Sequence, residues 1–299
     1  MAILVFDIGG TSVKYAIWEK DGLSQNGFFQ TPGKWEDMKK QILDVKCKFE
    51  NQISIDGVAI SSPGAVNQEK EWIEGSSAVP YIHQYSIFEE LRELLKCPVT
   101  IENDANCAAL AEVWMGAGKG MKHILFIVIG SGIGGAIITD GELWRGNNLF
   151  GGEFGYMMLT EDQTFSDLGT AVGLAKRYEK RKNIPLKSIT GKEVFELAEA
   201  GDQIAAEEAE RFYHYLALGI YNLQYSFDPE KIIIGGGVSS MESLLENLNA
   251  SLEKIVAKVK IAPFIPDVAL CQFKNDANLI GAVKHYLNVK KTNETCKII

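Results

Sequence analysis

One supersecondary pattern occurs twice in this chain, and no other feature narrows the fold as much. An apolar run from Ile3 to Ile8 is followed by Gly9-Gly10-Thr11, a second run from Val13 to Trp18, and the turn pair Asp21-Gly22. The order then restarts with Ile124 to Ile129, Gly130-Ser131-Gly132, Gly134 to Thr139 and Asp140-Gly141. β-Branched runs broken by glycine and Asp-Gly predict strand–turn–strand hairpins. The two copies agree only loosely residue by residue, yet a repeated unit is a statement about the whole architecture. With 299 residues the chain has room for two domains of ordinary size.

The rest of the pattern is mixed α/β. Trp35, Met38, Ile42, Val45 and Phe49 recur at helical spacing over residues 35–50. A strand from Ile55 to Ile60 runs into Ser61-Ser62-Pro63-Gly64. A helix over Ile87–Leu95, a short strand Val99–Ile101 and a helix Ala105–Met115 follow. Gly116-Ala117-Gly118-Lys119-Gly120 reads as a hinge between domains. Beyond the second hairpin, residues 167–227 read mostly helical. Ile232–Ile234 is a buried strand, Gly235-Gly236-Gly237 a turn, and Met241–Val259 and Ala277–Leu287 are helices.

Several classes are disfavoured. A net charge of −9 argues against nucleic acid as partner, because phosphate backbones need clustered Lys and Arg. No apolar run approaches the roughly 18 residues of a membrane helix, and Asp7 interrupts the first run, unlike a signal peptide. Cys47, Cys97, Cys107, Cys271 and Cys296 are scattered, odd in number and without a Cys-x-x-Cys pair. A reduced, cytoplasmic setting is expected. The histidines lack metal-ligand spacing.

The local motifs each admit two readings. Gly9-Gly10-Thr11 after Asp7 offers close backbone approach to a phosphate, and Asp7 could hold magnesium through water; it could equally be a hairpin turn with a solvated Asp. Gly130-Ser131-Gly132-Ile133-Gly134-Gly135 fits Gly-x-Gly-x-x-Gly, but a strand follows it where a dinucleotide fold requires a helix. A phosphate turn is preferred there only because it repeats the first. Gly235, Gly236 and Gly237 together are costly in chain entropy, and close approach to a flat ligand such as adenine is one compensation. In Glu102-Asn103-Asp104-Ala105-Asn106, spacing alone favours Asp104 or Asn103 as a helix cap; the other reading is Asp104 as a base. Gly151-Gly152-Glu153-Phe154-Gly155-Tyr156 presents a carboxylate that could accept from a sugar hydroxyl, or simply a solvated Glu. No Walker loop is present.

In this order these motifs, with Pro63-Gly64 and Gly116 to Gly120, resemble the ROK family of sugar kinases and sugar-responsive repressors over about residues 3–285. The resemblance implies an α/β chain of two actin-like, ribonuclease H-like domains around a nucleotide- and sugar-binding cleft. The expected domains are 1–117 with about 278–299, and 118–277. The implied activity is transfer of the ATP γ-phosphoryl group to a sugar hydroxyl, most naturally the 6-hydroxyl of a hexose, amino sugar or β-glucoside. ATP phosphates would meet Gly9, Gly10, Thr11, Gly130, Ser131 and Gly132, with adenosine near Gly235, Gly236 and Gly237 and magnesium held by Asp7. Sugar would meet Gly64, Asn103, Asp104, Glu153 and Tyr156, with Asp104 as catalytic base and domain closure excluding water. The protein would act alone or as a homodimer, with no nucleic-acid or membrane partner.

Four departures fall on the sugar side. Tyr156 follows Gly155 where the family commonly has His. Residues 157–175 hold no cysteine where the family's zinc motif belongs, so no structural zinc is expected. The sugar-touching glutamate that normally follows it has no clear counterpart in Glu161 or Glu179. Ser77-Ala78-Val79-Pro80 also replaces a usual Asn-Leu-Pro. A family repressor carries a DNA-binding segment ahead of the first strand, which here starts at residue 3, so kinase is preferred to regulator or scaffold.

Overall fold

A computed structural model describes residues 1–296. They form two compact units: Met1–Gly116 with Arg145–Phe150 and the segment from Asn275 onward, and Ala117–Trp144 with Gly151–Lys274.

In the first unit β1 (Ile3–Ile8), β2 (Ser12–Glu19), β3 (Gly22–Gln30), β4 (Gly57–Ser62) and, further on, β7 (Val99–Asn103) build one sheet. The order is β3-β2-β1-β4-β7. β1 pairs antiparallel with β2 and parallel with β4, and β4 pairs parallel with β7. Every residue of β1 and β4 is buried, as expected of central strands covered on both faces. β5 (Ala65–Asn67) and β6 (Trp72–Glu74) form a separate hairpin. α1 (Trp35–Glu50) buries Met38, Ile42, Val45 and Phe49, the positions its spacing marked. α2 (Ile87–Leu95) buries Ile87, Phe88, Leu91 and Leu95 and stops at Lys96, which takes the left-handed conformation with φ 54°. α3 (Asp104–Met115) follows β7 without a loop.

The second unit repeats the order. β8 (Ile124–Ile129), β9 (Ile133–Thr139), β10 (Glu142–Leu143), β11 (Lys231–Gly236) and β12 (Val268–Leu270) stand as β10-β9-β8-β11-β12. The span expected to be helical divides into α4 (Phe165–Leu168), α5 (Ala171–Lys182), α6 (Gly191–Glu199) and α7 (Gln203–Phe227). Thr164, Thr170, Thr190 and Asp202 each cap one of them by accepting from a backbone N–H. α8 (Leu244–Val259) begins later than Met241. Residues Gly237–Ser240 form a 3₁₀ turn instead, with the Ser239 and Ser240 hydroxyls donating to the carbonyls of Gly236 and Gly237. The long α9 (Ala277–Cys296) packs along α3 in the first unit and extends beyond the expected Leu287. No helix among the described residues is long and apolar enough to cross a membrane.

Candidate active site

The first glycine turn is held from outside itself. Gly9 N–H donates to Ser12 O at 3.1 Å, Thr31 Oγ1 donates to Gly9 O at 2.5 Å, and Thr31 N–H donates to Thr11 O at 3.0 Å. A Cβ on Gly10 would lie 2.6 Å from that of Ala78, so the 77–80 segment lies against this turn. Gly10 and Thr11 remain exposed. Asp7, only 9% exposed at the end of β1, accepts through Oδ1 from Ser61 Oγ at 2.9 Å and Asn278 Nδ2 at 3.0 Å. Both donors address one oxygen, leaving Oδ2 for the water shell of a hard cation. Oxygen donors of this kind suit magnesium.

At the end of β7 the alternatives for the helix start are separated. Asn103 is the cap: its Oδ1 accepts from Asn106 N–H at 3.1 Å. Its Nδ2 donates to Gly64 O at 3.0 Å, which draws the Pro63-Gly64 turn to the start of α3. Gly64 has φ +99°, and a Cβ there would come within 2.8 Å of both Ile73 and His83, so glycine is required on two counts. Asp104 is therefore the first helical residue rather than the cap. It is half-buried, and its Oδ1 accepts from Ala105 N–H at 2.8 Å. Gly64, Asn103 and Asp104 thus form one constellation in the first unit.

In the second unit, Gly130, Ser131 and Gly132 are all exposed, and Gly130 N–H donates to Gly132 O at 2.9 Å. Ser166, which the sequence did not single out, accepts from Ile133 N–H at 2.9 Å and pins this turn. The glycine-rich loop presses on the same hairpin. A Cβ on Gly155 would sit 2.0 Å from Ile133 O, and one on Gly152, where φ is +95°, 2.5 Å from Gly135 O. Glu153 and Tyr156 are thereby carried on a loop packed against the second hairpin. Glu153 reaches solvent, yet the protein around it displaces enough water to push its carboxyl above the usual carboxylate range. Tyr156 is 70% exposed.

A pocket of about 710 Å³ opens beside the second turn, lined by Gly130, Gly237, Ala171, Phe195, Met241 and Lys192 among others. An apolar wall with a charged rim suits a nucleoside. Of the three consecutive glycines only Gly237 lines it. Gly235 is needed because a Cβ would meet Phe126 at 2.6 Å; Gly236 because φ is +87° and a Cβ would meet Ile129 O at 2.2 Å. Packing and turn geometry thus require glycine at both positions. Phe195 and Lys192 on α6 and Met241 were not singled out from the sequence, and nothing local marks them.

Of the two glutamates considered for the missing sugar contact, Glu179 is spoken for. It is 2% exposed and accepts from the backbone N–H of Ser188 at 2.7 Å and Ile189 at 3.1 Å, shaping the loop before α6. Glu161 is exposed. Among the described residues, no group of three or more His, Cys, Asp and Glu side chains is placed to hold a metal ion.

Comparison with known proteins identifies the family. The chain is 34% identical to the beta-glucoside kinase of Listeria monocytogenes, over 98% of this chain and all of that one. It is 29% identical to a glucokinase of Halalkalibacterium halodurans, over 97% of each. A crystal structure of a ROK family protein from Streptococcus pneumoniae in complex with sucrose superposes with a TM-score of 0.89 at 34% identity, covering 98% of this chain and all of that chain. The ROK family sequence profile matches residues 3–288, and this chain belongs to the ROK family.

Proposed function

We propose that this protein is an ATP-dependent sugar kinase whose acceptor is the 6-hydroxyl of a β-glucoside. The observation that carries the kinase reading is the set Asp7, Asn103 and Asp104 at two strand ends of the first sheet. Asp7 and Asn103 are each held by named donors or acceptors, and Asp104 lies at the first turn of α3. The sugar oxygen attacks the γ-phosphorus, the bond to the β-bridging oxygen breaks, and the hydroxyl proton passes to Asp104. Such transfer depends on positioning and charge stabilisation more than on covalent chemistry. The exposed turn residues Gly10, Thr11, Ser131 and Gly132 would offer amides to the phosphates, while Gly9 and Gly130, whose N–H groups donate to Ser12 O and Gly132 O, would shape the two turns. Asp7 would hold magnesium through water, and the ion would supply charge neutralisation on the phosphates. Gly237 and the α6 wall would take adenosine.

The β-glucoside choice rests on Tyr156. A ring 70% exposed on the Glu153 loop, where the family commonly places His, can stack on the apolar face of a second sugar ring. The beta-glucoside kinase relative and the sucrose complex of the pneumococcal protein support an acceptor larger than one ring. The test is ADP release from Mg-ATP across a panel of hexoses, amino sugars and β-glucosides. Release only with sugar present, and most efficiently with a β-glucoside, is expected. ATP binding without release for any sugar would favour a sensor or scaffold, and exclusive use of free glucose would reject the β-glucoside assignment.

A further inference from the structure

Glu102 directly precedes Asn103 and Asp104, and its carboxylate has no exposure at all. A buried charge is costly unless its lone pairs are matched. Oε1 accepts from Asn103 N–H and from Asn106 Nδ2, both at 2.9 Å. Oε2 accepts from Arg145 Nη2 and, at 3.4 Å, from Gln68 Nε2, which also donates to Ile101 O at 2.8 Å. His285 Nδ1 on α9 lies 3.7 Å from the same oxygen.

Burial alone would raise the Glu102 carboxyl; His285, Arg145 and the bonds from Arg145 and Asn106 outweigh it and hold it below the ordinary value. Burial also pushes the His285 ring down, against the pull of Glu102, and the guanidinium of Arg145 is the permanent cation at this carboxylate. Arg145 lies 43 residues away on the strap Arg145–Phe150, which clusters with the first unit although the chain on either side belongs to the second.

We propose that Glu102 and Arg145 are a positioning pair for phosphoryl transfer. Glu102 fixes the backbone of Asn103 and the side chain of Asn106, and so sets the first turn of α3 that presents Asp104. Arg145 keeps Glu102 ionised in the core. Stability alone is a weak reason for such a pair, since well-packed apolar residues of similar volume often serve as well or better. The pair also carries an unmet cost, because Arg145 Nε and His285 Nε2 are buried without a hydrogen-bond partner. What its contacts accomplish is orientation of the residues flanking Asp104.

The proposal rests on Asp104 as the base, so Asp104→Asn is measured beside the pair. Turnover, KM for sugar, KM for ATP and thermal midpoint are determined for Arg145→Met, Glu102→Gln, their double variant and Arg145→Lys. Each single variant is expected to lose at least about tenfold in kcat, as for a small misplacement of a reacting group, with KM for ATP within about twofold. The double variant is expected to lose less than the product of the singles, because neither charge is left alone. Arg145→Lys, which keeps the charge, is expected to lose severalfold in kcat but less than Arg145→Met. Folded single variants with near wild-type kcat, or a double variant matching the product of the singles, would overturn the pair. If the singles are too unstable to assay, Arg145→Lys decides: a wild-type kcat at a lowered midpoint overturns the proposal and a reduced kcat supports it. An active Asp104→Asn overturns the base assignment and the pair with it; an inactive Asp104→Asn beside active pair variants overturns the pair alone.

Discussion

The two five-stranded sheets share one strand order and differ in what they carry at the same place. In the first, the penultimate residue of β1 is Asp7, beside the glycine turn and paired with Ser61 on the parallel neighbour. In the second, the corresponding residue of β8 is Val128, paired with Gly235. The turns differ as well: pairing of Ile8 with Val13 leaves residues 9–12 in the first, and pairing of Ile129 with Ile133 leaves 130–132 in the second. A repeated scaffold has therefore been equipped twice. The first copy gathers carboxylates: burial pushes the Cys107 thiol up, and so do the charges of Glu102, Asp7 and Asp104 around it. The second presents backbone and an apolar pocket. On the proposed reading, ion and proton chemistry and one phosphate turn would fall to the first unit, and the other turn and the adenosine pocket to the second.

The largest effect should come from removing the base. Asp104→Asn leaves the Asn103 cap intact, so the thermal midpoint should barely move, while kcat falls by about 10²–10⁴. ATP and sugar affinity should change little. Next in size is Asp7→Asn, which removes the carboxylate charge at the position where the second copy has none. A loss of about 10² in kcat is expected, with more magnesium needed for half-maximal rate. ATP binding measured without magnesium should persist, because the proposed adenosine pocket lies in the second unit; its loss would break the division.

The paired glycines sharpen the second half of the comparison. Gly236→Ala forces a left-handed residue and a 2.2 Å approach to Ile129 O, so it should cost about 1–3 kcal/mol of stability. Gly237→Ala meets nothing within 4 Å and should leave the midpoint unchanged while raising KM for ATP. Equal behaviour of the two variants would show that Gly237 does not face the nucleotide. The smallest effect belongs to Tyr156→Ala: KM for a β-glucoside should rise about 2–10-fold, the worth of one aromatic contact, with stability and KM for ATP unaltered.

Much of the fold was legible because its signals are local. Apolar runs, glycine turns and Asp-Gly pairs mark the hairpins, and the helical spacing of Met38, Ile42, Val45 and Phe49 marks α1. The two glycine turns were legible for the same reason. What escaped is assembled from distance. Thr31 and Ser166 pin the two turns from other elements, and Phe195 comes to line the same pocket as Gly237 only through the packing of α6. Arg145 reaches Glu102 across 43 residues. Glu102 did leave a trace, a carboxylate closing the apolar run Val99–Ile101, but burial and partner are properties of the folded chain. The start of α3 was undecided for a similar reason, since Asn103 and Asp104 cap equally well by composition and only geometry selects Asn103. Gly235 shows that a glycine read toward a ligand also has a packing reason that the sequence hides, the ring of Phe126.

The central claim is that the γ-phosphoryl group of ATP ends on a sugar oxygen. Phosphorus NMR of the wild-type protein with Mg-ATP and a β-glucoside disaccharide follows that group directly. The account predicts that the γ-phosphate resonance is replaced by a phosphomonoester signal coupled to the protons of a sugar 6-methylene. Its replacement by inorganic phosphate alone, or its persistence with every sugar tried while ATP remains bound, would contradict the account.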